Sequence, residues 1–250
     1  NRYAKPMDQF TIIAMDEDDV FAIVTRRLIS DHEYFKSTGD FPTSYKVKDR
    51  KGKTFNKNDP WFISLEGLYA ANKIWLITPR RETEMGWGNA TSLKKYLQYR
   101  PQDEEEIDGY FDELTLYWTA LFEVLPELGE QSIPDFRKHN SDEGPDMLYF
   151  WPIGLEILIS ECRSLLNEKL MPNPDKPTLP KCEKVLQPLK EIDWEMHSLP
   201  WRNLILIRSE NGWKMRNQDR TKAMMVARVI LSHMLRPEPP DTDQLEMLKE

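Results

Sequence analysis

The chain has 250 residues, 40% of them apolar and 30% charged, with 34 Lys+Arg against 42 Asp+Glu and a net charge of -8. That length and apolar share suffice for one large domain or two small ones. The acidic balance excludes a uniformly basic nucleic-acid binder, while a basic surface confined to one side of an acidic body stays compatible with it.

In chain order, Asn1–Phe10 is polar and contains Lys5-Pro6, which predicts an irregular lead-in segment because proline biases its predecessor towards extended structure. Asp16–Asp19 then supplies acids suited to a helix N-terminus, and Val20, Ile23, Val24 and Leu28 continue at helical spacing to about Ser30. Asp31–Phe41 is a connector with a turn at Thr38-Gly39. Tyr45–Phe55 alternates weakly and predicts a two-stranded excursion turning near Gly52. Ser64 is a good N-cap for a helix over Leu65–Ile77, stopped by Thr78-Pro79. Glu82–Ala90 is a loop whose GWGNAT stretch lacks the third glycine and the preceding strand of a dinucleotide site. A short helix over Ser92–Tyr99 follows.

Asp103–Val124 is the longest periodic segment, with Ile107, Tyr110, Leu114, Tyr117, Trp118 and Leu121 on one stripe and four acids in its first turn. Those acids, Asp103–Glu106, read as dipole partners rather than metal ligands, because consecutive carboxylates point in different directions and no histidine is near. Pro126–Pro145 is a loop, and Leu148–Leu170 is a helix whose regular part begins at Pro152. Met171–Pro180 is a Pro-rich linker. It separates a helical body, residues 1–170, from a C-terminal unit, residues 181–250, expected to pack on that body. Lys181–Ile192 is a further helix interrupted by Pro188. Leu204–Ile207 and Trp213–Met215 predict a hairpin turning at Asn211-Gly212. Ala223, Val226, Ala227, Ile230, Leu231 and Met234 then mark the apolar face of a last helix beginning near Arg220. Arg236–Thr242 is a Pro-rich exit. The expected fold class is mainly α, a multi-helix domain with one or two small β-hairpins.

No Walker-type loop, His-x-x-x-His, Cys-x-x-Cys or Gly-x-Ser-x-Gly occurs. His32, His139, His197 and His233 are scattered singly and read as surface or packing residues. Cys162 falls on an apolar stripe and reads as core. Trp118 and Trp151 also read as core, whereas Trp61, Trp87, Trp201 and Trp213 fall in loops or turns. No apolar run approaches the roughly 18 residues of a membrane helix. The two cysteines make no disulfide framework, so a cytoplasmic setting is expected. Position 1 is Asn, and the chain reads as a piece of a longer protein. No catalytic residue, cofactor or metal site is expected, and the chain does not read as an enzyme.

Two segments gather positive charge. The first holds Lys46, Lys48, Arg50, Lys51 and Lys53 against Asp49 alone, and reads either as a solvated loop or as a phosphate-contacting arm. The second holds Arg216, Arg220, Lys222 and Arg228 around the start of the last helix, whose N–H groups suit a phosphate. The spacing of Arg216, Arg220 and Lys222 fits backbone contact better than base readout.

Several separated stretches resemble the DGQHR-domain family, whose DndB-like branch belongs to bacterial DNA sulfur modification (phosphorothioation) systems. They are Asn1-Arg2-Tyr3-Ala4-Lys5-Pro6, the run from Asp19 to Ile29, Phe62-Ile63-Ser64-Leu65-Glu66-Gly67-Leu68-Tyr69, Phe150-Trp151-Pro152-Ile153-Gly154, Asp193-Trp194 and Pro200-Trp201-Arg202. The DGQHR signature itself does not occur in the chain. The resemblance implies a C-terminal, mostly helical part that lacks whatever activity the signature carries. It also implies double-stranded DNA as partner and repression of the modification operon. Two alternatives stand beside it. One is a helical scaffold docking other DNA-modification or phage-defence proteins, and the other is a non-catalytic part of a ParB-like nuclease or ATPase.

Overall fold

The computed structural model describes residues 8–36, 46–48, 55, 58–78, 90–101, 103–129, 133–137, 146–170, 177–210, 212–216 and 219–236. The first helix, α1 (Gln9–Met15), lies where the sequence predicts none. Asp8 caps it, its carboxylate accepting from the Thr11 amide, and the Arg26 guanidinium donates to the Ile13 and Asp16 carbonyls at its other end. Seven residues carry too little periodicity to announce a helix, and this one is held by caps and by buried Ile13. Helix α2 (Val20–Asp31) begins at Asp19, whose side chain accepts from the Ala22 amide and from the Tyr69 hydroxyl.

The sheet residues before α3 differ from expectation. β1 (Val47–Lys48) pairs in parallel with β2 (Ile63–Ser64), so the partner of Val47 lies beyond the predicted turn rather than within a hairpin at Gly52. Gly52 itself lies outside the described residues. Ser64 caps α3 (Leu65–Leu76) as predicted, its hydroxyl accepting from the Gly67 amide. Then come α4 (Ala90–Tyr96) and α5 (Glu104–Val124), the latter capped by Asp103. Within the predicted loop 126–145 the chain makes 3-10 turns at Pro126–Gly129 and Ile133–Phe136. Another 3-10 turn, Leu148–Phe150, precedes α6 (Pro152–Leu170).

Helix α7 (Leu179–Leu186) gives way at Gln187 to a 3-10 turn containing Pro188, the predicted interruption. The hairpin is β3 (Leu206–Ser209) with β4 (Gly212–Met215), Ser209 opposite Gly212. Gly212, expected in the turn with Asn211, is instead the first residue of β4; Asn211 lies outside the described residues. Helix α8 (Arg220–Leu235) ends the described chain. Its buried residues are Ala223, Ala227, Leu231 and Leu235, while Met234, expected on that face, is 46% exposed. A four-residue step holds the seam, because a single helix lying on α6 touches it along a narrow line. Among the described residues the fold is mainly α, eight helices with two two-stranded sheets, one a hairpin and the other the parallel pair.

The core forms around Trp118 on α5. Its ring meets Phe35, Phe62 and Trp75 edge-on, at centroid distances of 5.2, 6.3 and 6.2 Å. Its Nε1 donates to Asn72 Oδ1 at 2.9 Å, and Asn72 Nδ2 donates to Thr25 Oγ1 at 2.9 Å. Three helices are thereby tied through one buried polar chain. Cys162, Trp118 and Trp151 are buried, as predicted. Trp201, expected in a turn, is fully buried and stacks on Trp194 with planes 7° apart. A single apolar cluster runs from Ile13 to Leu235, so residues on both sides of the linker region share it.

Candidate nucleic-acid interface

The first basic segment contributes less free charge than its sequence promises. Lys46 is buried, its Nζ donating to the Gly129 carbonyl at 2.6 Å, while its own carbonyl accepts from Phe62 and Ile63. It joins two parts of the fold, and this corrects its expected place on a phosphate-contacting arm. The Lys48 ammonium lies 5.7 Å from the ring centroids of both Phe55 and Trp61. Arg50, Lys51 and Lys53 lie outside the described residues.

The second segment divides in the same manner. The guanidinium of Arg216 donates from Nε to the Leu204 carbonyl at 2.7 Å and from Nη2 to the Asn203 carbonyl at 3.0 Å. Asn203 has φ 73°, a left-handed backbone that this clamp holds in place. Arg216 is thus a hairpin brace first, and only half-exposed. Arg228 is half-buried on α8, its Nε without a hydrogen-bond partner among the described residues. Arg220 and Lys222 are exposed in the first turn of α8. Arg220 reaches Glu156 of α6 only at 3.5 Å, with both side chains about half exposed, so the pair holds it weakly. Asp219 precedes the helix with φ 52°, and its side chain makes no capping bond. The first-turn amides of α8 thus lack the usual side-chain acceptor.

Beside this turn lies a cleft of about 780 Å³, bounded by α3, α6, the end of β4 and the start of α8. Phe55, Phe62, Trp151, Ile153 and Met224 supply apolar wall, and Arg216 and Arg220 stand on one side. Lys73 also lines it, its Nζ 3.8 Å from the Tyr69 ring centroid. Glu66 of α3 lines it as well, 9% exposed, with an Oε2 that has no hydrogen-bond partner among the described residues. No protein-family model, curated protein or solved structure matches the chain.

The cleft therefore combines the cations Lys73, Arg216 and Arg220, the acid Glu156, apolar walls, and a buried Glu66 oxygen lacking a donor. An anionic ligand group fits the first and a hydrogen-bond donor fits the last. Glu66 and Lys73 escape sequence reading. Glu66 reads as an ordinary first-turn acid of α3, and nothing in its neighbours marks it as buried. Among the described residues no cluster of three or more His, Cys, Asp or Glu is placed to hold a metal. No described helix is long and apolar enough to cross a membrane.

Other ionisable groups serve the fold. Arg137 is fully buried and donates to the Asp59, Trp61 and Phe150 carbonyls; burial pushes its pKa down to about 10. Arg236, expected in an irregular exit, ends α8 on α6 through Glu161, Ser164 and Glu168. The Cys162 thiol is pushed well up by burial. Burial also raises the Cys182 thiol, to about 12, which makes it inert as a nucleophile near neutrality.

Proposed function

We propose that this chain is the DNA-binding regulatory part of a bacterial DNA-modification system of the phosphorothioation type, a cytoplasmic repressor of the modification operon. The reading combines the family resemblance with one observation, the exposed Arg220 and Lys222 on an uncapped first turn of α8. Two exposed cations on a first turn that the Asp219 side chain does not cap neutralise phosphate oxygens without reading bases. Lys48 is a further candidate contact, and so are Arg50, Lys51 and Lys53. Lys46 and Arg216 contribute through the fold.

Fluorescence anisotropy against a labelled duplex, over a range of salt concentrations, tests this. Each phosphate contact contributes about 0.9 to the slope of log K against log salt. The double variant R220A/K222A should weaken binding and flatten that slope by roughly 1 to 2. An unchanged slope counts against α8. Absence of any duplex binding at low salt, with partner proteins retained in a pull-down, supports the scaffold reading instead. That second reading draws on the exposed Glu104 and Glu105 at the start of α5.

A further inference from the structure

We propose that the cleft beside α8 receives one unstacked nucleotide, its phosphate at the first turn of α8 and an amino-bearing base edge donating to Glu66. This deepens the DNA reading above and rests on it. Glu66 is the observation that calls for a ligand. A carboxylate oxygen withdrawn from water without a donor is destabilising, and a bound donor removes that cost. It lies among lining residues rather than in the closed core.

The opposite requirement holds at the first turn of α8. The first-turn amides of α8 have no intrahelical acceptors, Asp219 does not cap them, and Arg220 is held only by a long, exposed contact to Glu156. A ligand satisfying both ends carries an anionic group, an apolar-faced body and a donor edge. An adenine, cytosine or guanine nucleotide has all three, since each base offers an exocyclic amine. Thymine has no such amine. Apolar and aromatic walls suit the faces of a base, and a volume of about 780 Å³ lies within the range of small-ligand pockets.

The test uses the full chain. Binding of dAMP, dCMP, dTMP and the corresponding nucleosides is followed by calorimetry and by tryptophan fluorescence, Trp151 being in the wall. The expected result is that dAMP or dCMP binds about tenfold or more tighter than dTMP, and similarly tighter than its own nucleoside. Glu66→Leu, which removes the acceptor, should erase the base preference and keep the phosphate preference, and Arg220→Ala should do the reverse. Ala70 lines the cleft and is exposed, so Ala70→Trp should block nucleotide binding while leaving the thermal melt unchanged. No saturable nucleotide binding, or full binding by Ala70→Trp, overturns the inference. Duplex binding that persists in that case leaves the DNA reading standing. Nucleotide binding with no affinity for any DNA supports the cleft and overturns the DNA reading.

Discussion

Asn72 illustrates how single residues hold this molecule together. Its amide accepts from the Trp118 indole and donates to Thr25, all inside the core. Asn72→Ala strands the indole N–H and opens a small void, so it should lower the unfolding free energy by about 2–4 kcal/mol. Urea melts at neutral pH check this. Gly154 is as constrained for a different reason. A Cβ there would lie 2.0 Å from the Leu148 carbonyl oxygen, so Gly154→Ala should shift the first turn of α6 and lower the melting temperature by several degrees. His32 carries the acid sensitivity. Its Nδ1 accepts from the Tyr34 amide and its Nε2 faces the Thr115 carbonyl, an arrangement for neutral imidazole, and burial lowers its pKa to about 4. The folded state thus binds its proton less readily than the unfolded chain. The associated stability is present above pH 6.5 and is lost as pH falls towards 4, amounting to at most about 3 kcal/mol. His32→Asn should flatten the melting temperature across that window; an unchanged slope would show the loss to lie elsewhere.

At the scale of elements, periodicity was readable and tertiary reach was not. Helices α3, α5 and α6 follow from capping residues and wide apolar stripes, and their starts fall within about two residues of expectation. Helix α1 was not legible because its stability comes from Asp8 and Arg26 rather than from a stripe. The two basic segments were legible as charge but not as exposure. Lys46 sits beside a strand pairing whose partner is Ile63, a long-range event invisible to local pattern. Arg216 returns to the loop before its own hairpin, and this gives it a measurable signature. Arg216→Ala should speed amide exchange at Leu206–Met215 about tenfold or more as the hairpin loses its brace. A variant with unaltered exchange and weaker DNA binding would make Arg216 a phosphate contact instead.

For the whole molecule, the sequence balance of -8 conceals a division of labour among the cations. Arg26, Lys46, Arg137, Arg163 and Arg216 all point at backbone carbonyls, at helix ends or in loops. Each satisfies acceptors that water would otherwise reach. Counting lysines and arginines along the chain therefore overstates the positive surface. Among the described residues, Arg202, Arg208 and Lys214 around the hairpin and Arg220 and Lys222 on the first turn of α8 are exposed. The proposed duplex contact lies at the start of α8. The most direct measurement is photo-crosslinking to a duplex substituted with 5-iododeoxyuridine, followed by peptide mapping. The account predicts adducts within Gly212–Met215 and the first turns of α8, where Trp213 and Met224 are partly exposed. Adducts confined to α5, or efficient binding with none near α8, would contradict it.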